Sequence, residues 1–315
     1  MKRTTFITTT GGSMVAASLW GIAQAADSDI TLTTATGSIC GTLTLPTKLP
    51  SPVVLIIAGS GPTDRNGNSG VVQPDSYALL AAALVARGIA TVRYDKRGVA
   101  ASAAAGPAEI DLRFDMYADD AAAWVRMLAV DKRFSKIVVA GHSEGSLLGM
   151  LAVQHAPATA YVSLEGAGRP APVILREQLK PKLPAALYAQ ADATITQLSQ
   201  GHTVPNPPME LASLFRPSVQ PYLISWFTYD PAIEIAKLQI PATIVQGTAD
   251  IQVSLADANL LKHADPSATL LIVQGMNHVL KHAPDTSSQA AILKGYTDSS
   301  LPIEPHVVEA IAAAS

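Results

Sequence analysis

The sequence predicts an α/β fold: a mostly parallel central sheet with an N-terminal antiparallel hairpin, helices on both faces and a helical cap insertion. Three observations carry this. Runs such as Val53-Val54-Leu55-Ile56-Ile57 are rich in β-branched residues and lack polar alternation, the pattern of a strand buried on both faces. Such runs alternate with stretches of helical length, which gives parallel strands joined by crossover helices. The 315-residue chain is 48% hydrophobic and only 15% charged, where ordinary soluble proteins run at about a quarter charged. A chain of this size can bury a large core without disulfides or metals. Aromatic residues are scarce, at 5%, and alanine carries much of the apolar count, which suits helices packed closely on a sheet.

The elements follow in order. Ile30 to Thr36 and Ser38 to Leu45 alternate at roughly period two about Gly37, an antiparallel hairpin. Pro46 to Pro52 is a linker. A strand at 53–57 leads into a Gly/Asp/Asn loop, Gly59 to Gly70, and a helix from Tyr77 to Arg87 stops at Gly88. Ile89 to Tyr94 is a second buried strand and Phe114 to Leu128 a helix. The strand Ile137 to Ala140, the helix Glu144 to His155 and the strand Ala160 to Leu164 complete the first half. Between 168 and 239 the pattern breaks into proline-rich, amphipathic helical pieces with no convincing strand. It resumes with strands at 242–246 and 269–273, a helix near 255–263 and a last helix at 305–313. The expected organisation is a core of 26–167 and 240–315 interrupted by a cap at 168–239, long enough for a small lid.

Residues 1–25 read as an export signal. Lys2 and Arg3 form a short positive region, a weakly apolar stretch follows, and Ala23-Gln24-Ala25 has the form of a cleavage site. Gly11-Gly12 and the threonine cluster make a buried helix a poor alternative there. The mature protein is expected in the periplasm or outside the cell. No later segment approaches the ~18 apolar residues of a membrane span, so no integral membrane association is expected. Cys40 is the single cysteine and has no internal partner. A net charge of −3 without a Lys/Arg run argues against nucleic acid.

The chemistry concentrates at strand ends. Gly141-His142-Ser143-Glu144-Gly145 fits G-x-S-x-G between a strand and a helix, the context of a nucleophile elbow. Side chains at 141 or 145 would collide with so tight a turn. The turn would expose the Ser143 hydroxyl, and the helix N-terminus would favour a developing oxyanion. A serine nucleophile needs a base, and the base an orienting acid. Asp250, in Gln246-Gly247-Thr248-Ala249-Asp250, and His278, in Gln274-Gly275-Met276-Asn277-His278, each follow a strand and so share an edge with Ser143. Glu165, which ends the strand before the insertion, is the rival acid. His263 and His282 lack strand-end placement, and His142 and His155 are expected to pack structurally. The oxyanion hole needs two backbone N–H groups. Glu144 supplies one; Ser60 in Gly59-Ser60-Gly61-Pro62 is the first choice for the other, Gly61 the second. A nucleotide loop is disfavoured because the third glycine and an acidic ribose partner are missing. No P-loop, HExxH or CxxC is present, and no metal or cofactor is expected.

These motifs, together with Arg93-Tyr94-Asp95-Lys96-Arg97-Gly98, Tyr229-Asp230-Pro231 and the loop from Gly59 to Gly67, resemble those of bacterial α/β-hydrolases. The resemblance is to exported esterases related to the prolyl-oligopeptidase, serine-aminopeptidase and dienelactone-hydrolase-like groups, and it spans residues 30–312. It implies the α/β-hydrolase fold, with Ser143 as nucleophile, Asp250 as acid, His278 as base and the turn from Gly59 to Pro62 as oxyanion loop. Two departures bear on substrate fit: alanines at 100 and 101 where relatives carry glycine shortly before serine, and Ala58 where many carry histidine.

Two further groups stand out. Asp64, Arg65, Asp95, Lys96 and Arg97 gather charge in a charge-poor chain. They read either as a substrate-facing cluster or as a network pinning two active-site loops. Tyr222, Trp226 and Phe227 concentrate aromatics in the cap, either lining a substrate pocket or holding the cap to the core. The functional expectation is a carboxylesterase acting on small or medium neutral acyl esters. A peptidase or an aryl-ester or lactone hydrolase is the alternative within the same chemistry, and a non-catalytic binding protein the alternative outside it. Composition does not speak to the oligomeric state.

Overall fold

The computed structural model describes residues 27–70, 72–283 and 288–315. The expected signal at 1–25 lies outside them. Among the described residues eight strands form one sheet in the order β1-β2-β4-β3-β5-β6-β7-β8. They are β1 (Asp27–Thr34), β2 (Gly37–Thr44), β3 (Ser51–Ile57), β4 (Ala90–Tyr94), β5 (Phe134–His142), β6 (Ala160–Leu164), β7 (Ala242–Gly247) and β8 (Thr269–Val273). β1 and β2 are the antiparallel hairpin, with Thr34 opposite Gly37, and β2 joins β4 antiparallel. Every other neighbouring pair is parallel. The carboxyl ends of β3 to β8 therefore open on one edge, which fixes where loop chemistry can gather.

The β3 sequence shows why the sheet is covered on both faces. Val53, Leu55 and Ile57 point into one apolar cluster, Val54 and Ile56 into the other, and none is more than 1% exposed. Burial of each such side chain stabilises the fold by ~1.5–3 kcal/mol. The first cluster is closed by α2 (Phe114–Ala129), α3 (Glu144–His155) and α9 (Leu255–Ala264). The second is closed by α1 (Ser76–Val85) and α11 (Pro305–Ala314).

Between β6 and β7 the chain forms α4 (Ala171–Leu179), α5 (Ala185–Ser199), α6 (Ala212–Phe215), α7 (Gln220–Trp226) and α8 (Pro231–Ile235). Pro172, Pro221 and Pro231 sit in the first turns of α4, α7 and α8, where a missing N–H is harmless. Ala191, Ile195, Leu198, Phe215 and Leu223 extend the α2–α3 cluster into this segment. Among the described residues no helix is long and apolar enough to cross a membrane.

Two features differ from the sequence reading. A further helix, α10 (Gln289–Thr297), was not expected. It is capped by Ser288, whose Oγ accepts the Ala291 N–H, but Leu293 is exposed and Gly295 interrupts it, so no apolar stripe announces it. His155 is exposed at the end of α3 rather than packed, because the helix there leaves the sheet and its last residue faces solvent.

Candidate active site

The turn after β5 has the conformation the pentapeptide predicts. Ser143 adopts φ 55° and ψ −121°, a strained backbone for a residue with a side chain. A Cβ on Gly141 would lie 2.1 Å from the Gly145 carbonyl oxygen, and one on Gly145 would lie 2.3 Å from that of Ile57. Either contact is far inside van der Waals range, so both positions require glycine. Ser143 stands at the N-terminus of α3, whose first N–H groups have no partner within the helix.

Asp250 and His278 come together from the loops after β7 and β8. His278 Nδ1 and Asp250 Oδ2 are 2.7 Å apart, and both side chains are buried. The other Asp250 oxygen accepts the Gln252 N–H at 2.6 Å and the Val253 N–H at 3.1 Å. One carboxylate thus shapes its own turn and holds the imidazole. Burial works to raise the Asp250 carboxyl. His278 and the hydrogen bonds from His278, Glu165 and the Gln252 N–H outweigh it and hold the group at about 2. Among the described residues Ser143 Oγ makes no hydrogen bond to His278 within 3.5 Å; such contacts are often long until substrate binds.

Glu165, the rival acid, does not hold the histidine. It lies fully buried behind Asp250. Its Oε1 accepts the Gly247 N–H at 2.9 Å, and its Oε2 accepts the Gln246 side-chain amide, which also reaches Asp250 Oδ2 at 3.3 Å. Burial, and then the Asp250 carboxylate, push the Glu165 carboxyl well above the ordinary range.

His142 is buried as expected, and it also links two loops. Burial, and then the nearby His278, hold it at about 3, so the ring is neutral. Its Nε2–H donates to the His278 carbonyl oxygen at 2.6 Å, which leaves Nδ1 to accept from the Tyr77 hydroxyl at 2.8 Å. Tyr77 in turn accepts the Gly59 N–H at 3.1 Å. This chain ties the loop of the histidine to the loop after β3. Ser60 and Gly61 lie exposed on that second loop at the mouth of the cavity. Among the described residues the Ser60 N–H donates to no acceptor.

The cavity in front of Ser143 has a volume of about 580 Å³ and is largely apolar. Leu147, Ile174, Leu175, Leu223 and Val253 line it, with Tyr222 and Trp226. Trp226 also stacks on Phe114 of α2, with ring centroids 5.7 Å apart and planes 5° from parallel. These aromatics therefore both line the cavity and hold the helical segment to the core. Phe227 packs against Trp226 at 6.4 Å and is not among the lining residues.

The charged cluster resolves into pairs. Arg65 makes a two-pronged contact with Asp95, at 3.0 and 2.7 Å, and Arg97 pairs with Asp120. Asp64 Oδ1 accepts the N–H groups of Asn66 and Asn68. These residues pin the loops, the second of the two readings. Lys96 differs: it reaches Glu144 and the Gly59 carbonyl, beside the nucleophile.

Comparison with solved structures fits this architecture. The chain superposes on an α/β-hydrolase, GrgF of Penicillium sp. sh18, with TM-score 0.57 and 19% identity, covering 86% of this chain and 99% of that one. This chain has the α/β-hydrolase fold. Est1E of Butyrivibrio proteoclasticus, solved with ferulic acid bound, is similar to this hydrolase-fold chain with TM-score 0.58 and 17% identity over 90% of this chain and 99% of its own. Residues 73–219 match the family model described as serine aminopeptidase, S33. Esterase EstD of Thermotoga maritima is 27% identical over 264 residues, which are 82% of this chain and 62% of that relative. The chain thus spans less than two thirds of EstD.

Sequence reasoning named Ser143, Asp250, His278, Ser60 and Glu144 but gave Tyr77, Gln246 and the placement of Glu165 behind Asp250 no part. Tyr77 carried no signal beyond its position at a helix start. Glu165 carried one, a strand-end carboxylate, but which side of Asp250 it faces depends on the order of β6 and β7.

Proposed function

We propose that this chain is a serine esterase that cleaves esters with a largely apolar acyl group. One observation carries the reading: the Asp250–His278 pair and the strained Ser143 turn share one sheet edge, at the mouth of an apolar cavity. Ser143 Oγ attacks the ester carbonyl while His278 takes its proton, and Asp250 holds the resulting imidazolium. The carbonyl oxygen becomes an oxyanion between the Ser60 and Glu144 N–H groups. His278 returns the proton to the leaving alcohol, and a water activated by the same histidine releases the acid. Helices α4 to α8 act as the cap. No cofactor or metal takes part. The esterase name of the Thermotoga relative supports the same reading.

Peptidase action is less well supported. Binding a free N-terminus calls for an unpaired carboxylate in the cavity. Glu144 is the carboxylate among the lining residues, and it is paired with Lys96. Of the cap carboxylates, Glu177, Asp192 and Glu234 pair with Arg169, Arg176 and Lys237, Asp230 caps α8, and Glu210 is exposed and does not line the cavity. The aromatic wall of Tyr222 and Trp226 favours aryl acyl groups as a second substrate class, in keeping with ferulic acid bound to Est1E. We also propose export, on the form of residues 1–25; a mature N-terminus at Ala26 in the periplasmic fraction supports it. The functional test is turnover of p-nitrophenyl acetate, butyrate and octanoate beside a feruloyl ester and an aminoacyl amide. Ester turnover that falls below ~10⁻³ of the parent rate in Ser143→Ala is expected; turnover retained in that variant refutes the mechanism.

A further inference from the structure

A buried cation sits where the mechanism above does not use one. Lys96 is 1% exposed and Glu144 6%. The Lys96 Nζ donates to Glu144 Oε1 at 3.0 Å and to the Gly59 carbonyl oxygen at 2.6 Å, and it lies 4.9 Å from the centroid of the Tyr117 ring. Its three hydrogens thus face a carboxylate, a carbonyl and a π-face. Stability gives such a pair little reason to exist, because a well-packed apolar pair would serve as well.

The partners of Lys96 are what give it meaning. Gly59 C=O and Ser60 N–H belong to one peptide group. That peptide is trans, so its carbonyl and its N–H point to opposite sides. Whatever holds the carbonyl aims the N–H. The other face of Gly59 is held as well, through its N–H to Tyr77. A charge-assisted hydrogen bond to the carbonyl oxygen also draws electron density from the amide and makes its N–H a stronger donor. The second partner, Glu144, is the residue whose own N–H is the other proposed donor.

We infer that Lys96 is a positioning residue for the oxyanion hole, its ammonium joining the Gly59 carbonyl to the Glu144 carboxylate and thereby aiming and polarising the Ser60 N–H. The inference rests on the serine esterase reading. It differs from the pinning seen at Arg65–Asp95, because its effect falls on the transition state, where the oxyanion forms, and not on the bound ester.

The test is Lys96→Met, which keeps the length and removes the charge. Because that change strands Glu144 in the core, Lys96→Met/Glu144→Gln is made beside it to preserve folding. Both variants are expected to lower kcat on p-nitrophenyl butyrate ~10- to 100-fold, with KM changed by less than about threefold. A trifluoromethyl ketone, which Ser143 converts into a tetrahedral adduct, is expected to bind more weakly by the same factor as kcat falls. A folded variant with parental kcat, or a loss confined to KM with ketone affinity unchanged, overturns the inference. Failure of the underlying reading is seen separately: a wild-type protein that neither turns over esters nor binds the ketone overturns the esterase proposal and this inference together.

Discussion

The sheet edge and the helical segment between β6 and β7 treat charge in opposite ways. At the edge, polar pairs are buried: the side chains of the Lys96–Glu144 ion pair are 1% and 2% exposed, and those of the hydrogen-bonded Asp250–His278 pair 0% and 6%. In the segment from α4 to α8 pairs are more open: Arg176–Asp192 are 29% and 47% exposed and the Arg216 pair with Glu109 42% and 39%, while Glu234 of α8, paired with Lys237, is the buried exception at 7%. Buried pairs allow one geometry, because breaking one strands a charge. Exposed pairs are screened and exchangeable. On the proposed reading, the edge holds the reacting groups in one geometry, and the pairs of the segment above it constrain that segment less.

Removing the acid at the edge should have the largest effect. Asp250→Asn keeps the bulk but cannot hold the same imidazole tautomer, and kcat on p-nitrophenyl butyrate is expected to fall ~10³- to 10⁴-fold. A loss below tenfold would mean that the edge is less rigid than its burial implies. In the segment, Leu175→Trp fills the cavity. It is expected to lower kcat/KM for octanoate at least ~10-fold against acetate, with acetate turnover kept; an equal loss on both would place the residue in the chemistry instead of the pocket.

Glu165 tests the edge through pH. Its carboxyl is raised in the fold, so the folded state keeps a proton that the unfolded state releases. The stability this proton carries is complete below the unfolded pKa and is lost as pH rises toward the folded one. Glu165→Gln removes that loss. The stability of the variant relative to the parent, from urea melts, is expected to be flat below about pH 4 and to rise with pH above the range of an unfolded glutamate. A difference independent of pH would mean that Glu165 is ionised. The smallest effect is expected at Arg176→Ala in the segment, within about 1 kcal/mol of the parent by the same melts. A larger loss would mean that the exposed pairs fix the cap.

Much of this arrangement was legible in the sequence, and the limit has a physical cause. An unbroken apolar run gave β3, because a strand covered on both faces leaves few positions for a polar residue; β4 was read as buried although it carries Thr91 and Arg93. Strand-end placement brought Ser143, Asp250 and His278 to one edge, since parallel strands all finish on the same side. The aromatic cluster was found, though Phe227 packs behind Trp226 and not on the cavity. Pairs such as Lys96–Glu144, Tyr77–His142 and Glu165–Gln246 were not legible. They join residues 48, 65 and 81 positions apart, and such pairings depend on which strands lie side by side. The sequence order of strands does not contain the order β4-β3-β5 that sets Lys96 against the Gly59 peptide and Glu144.

The central claim is that Ser143 is the nucleophile held ready by this edge. Reaction of the folded protein with a fluorophosphonate, followed by peptide mapping in a mass spectrometer, tests it most directly. The account predicts one adduct, on Ser143, and no adduct in a Ser143→Ala protein with an unchanged circular dichroism spectrum. An unlabelled wild-type protein, or an adduct on any other residue, would contradict it.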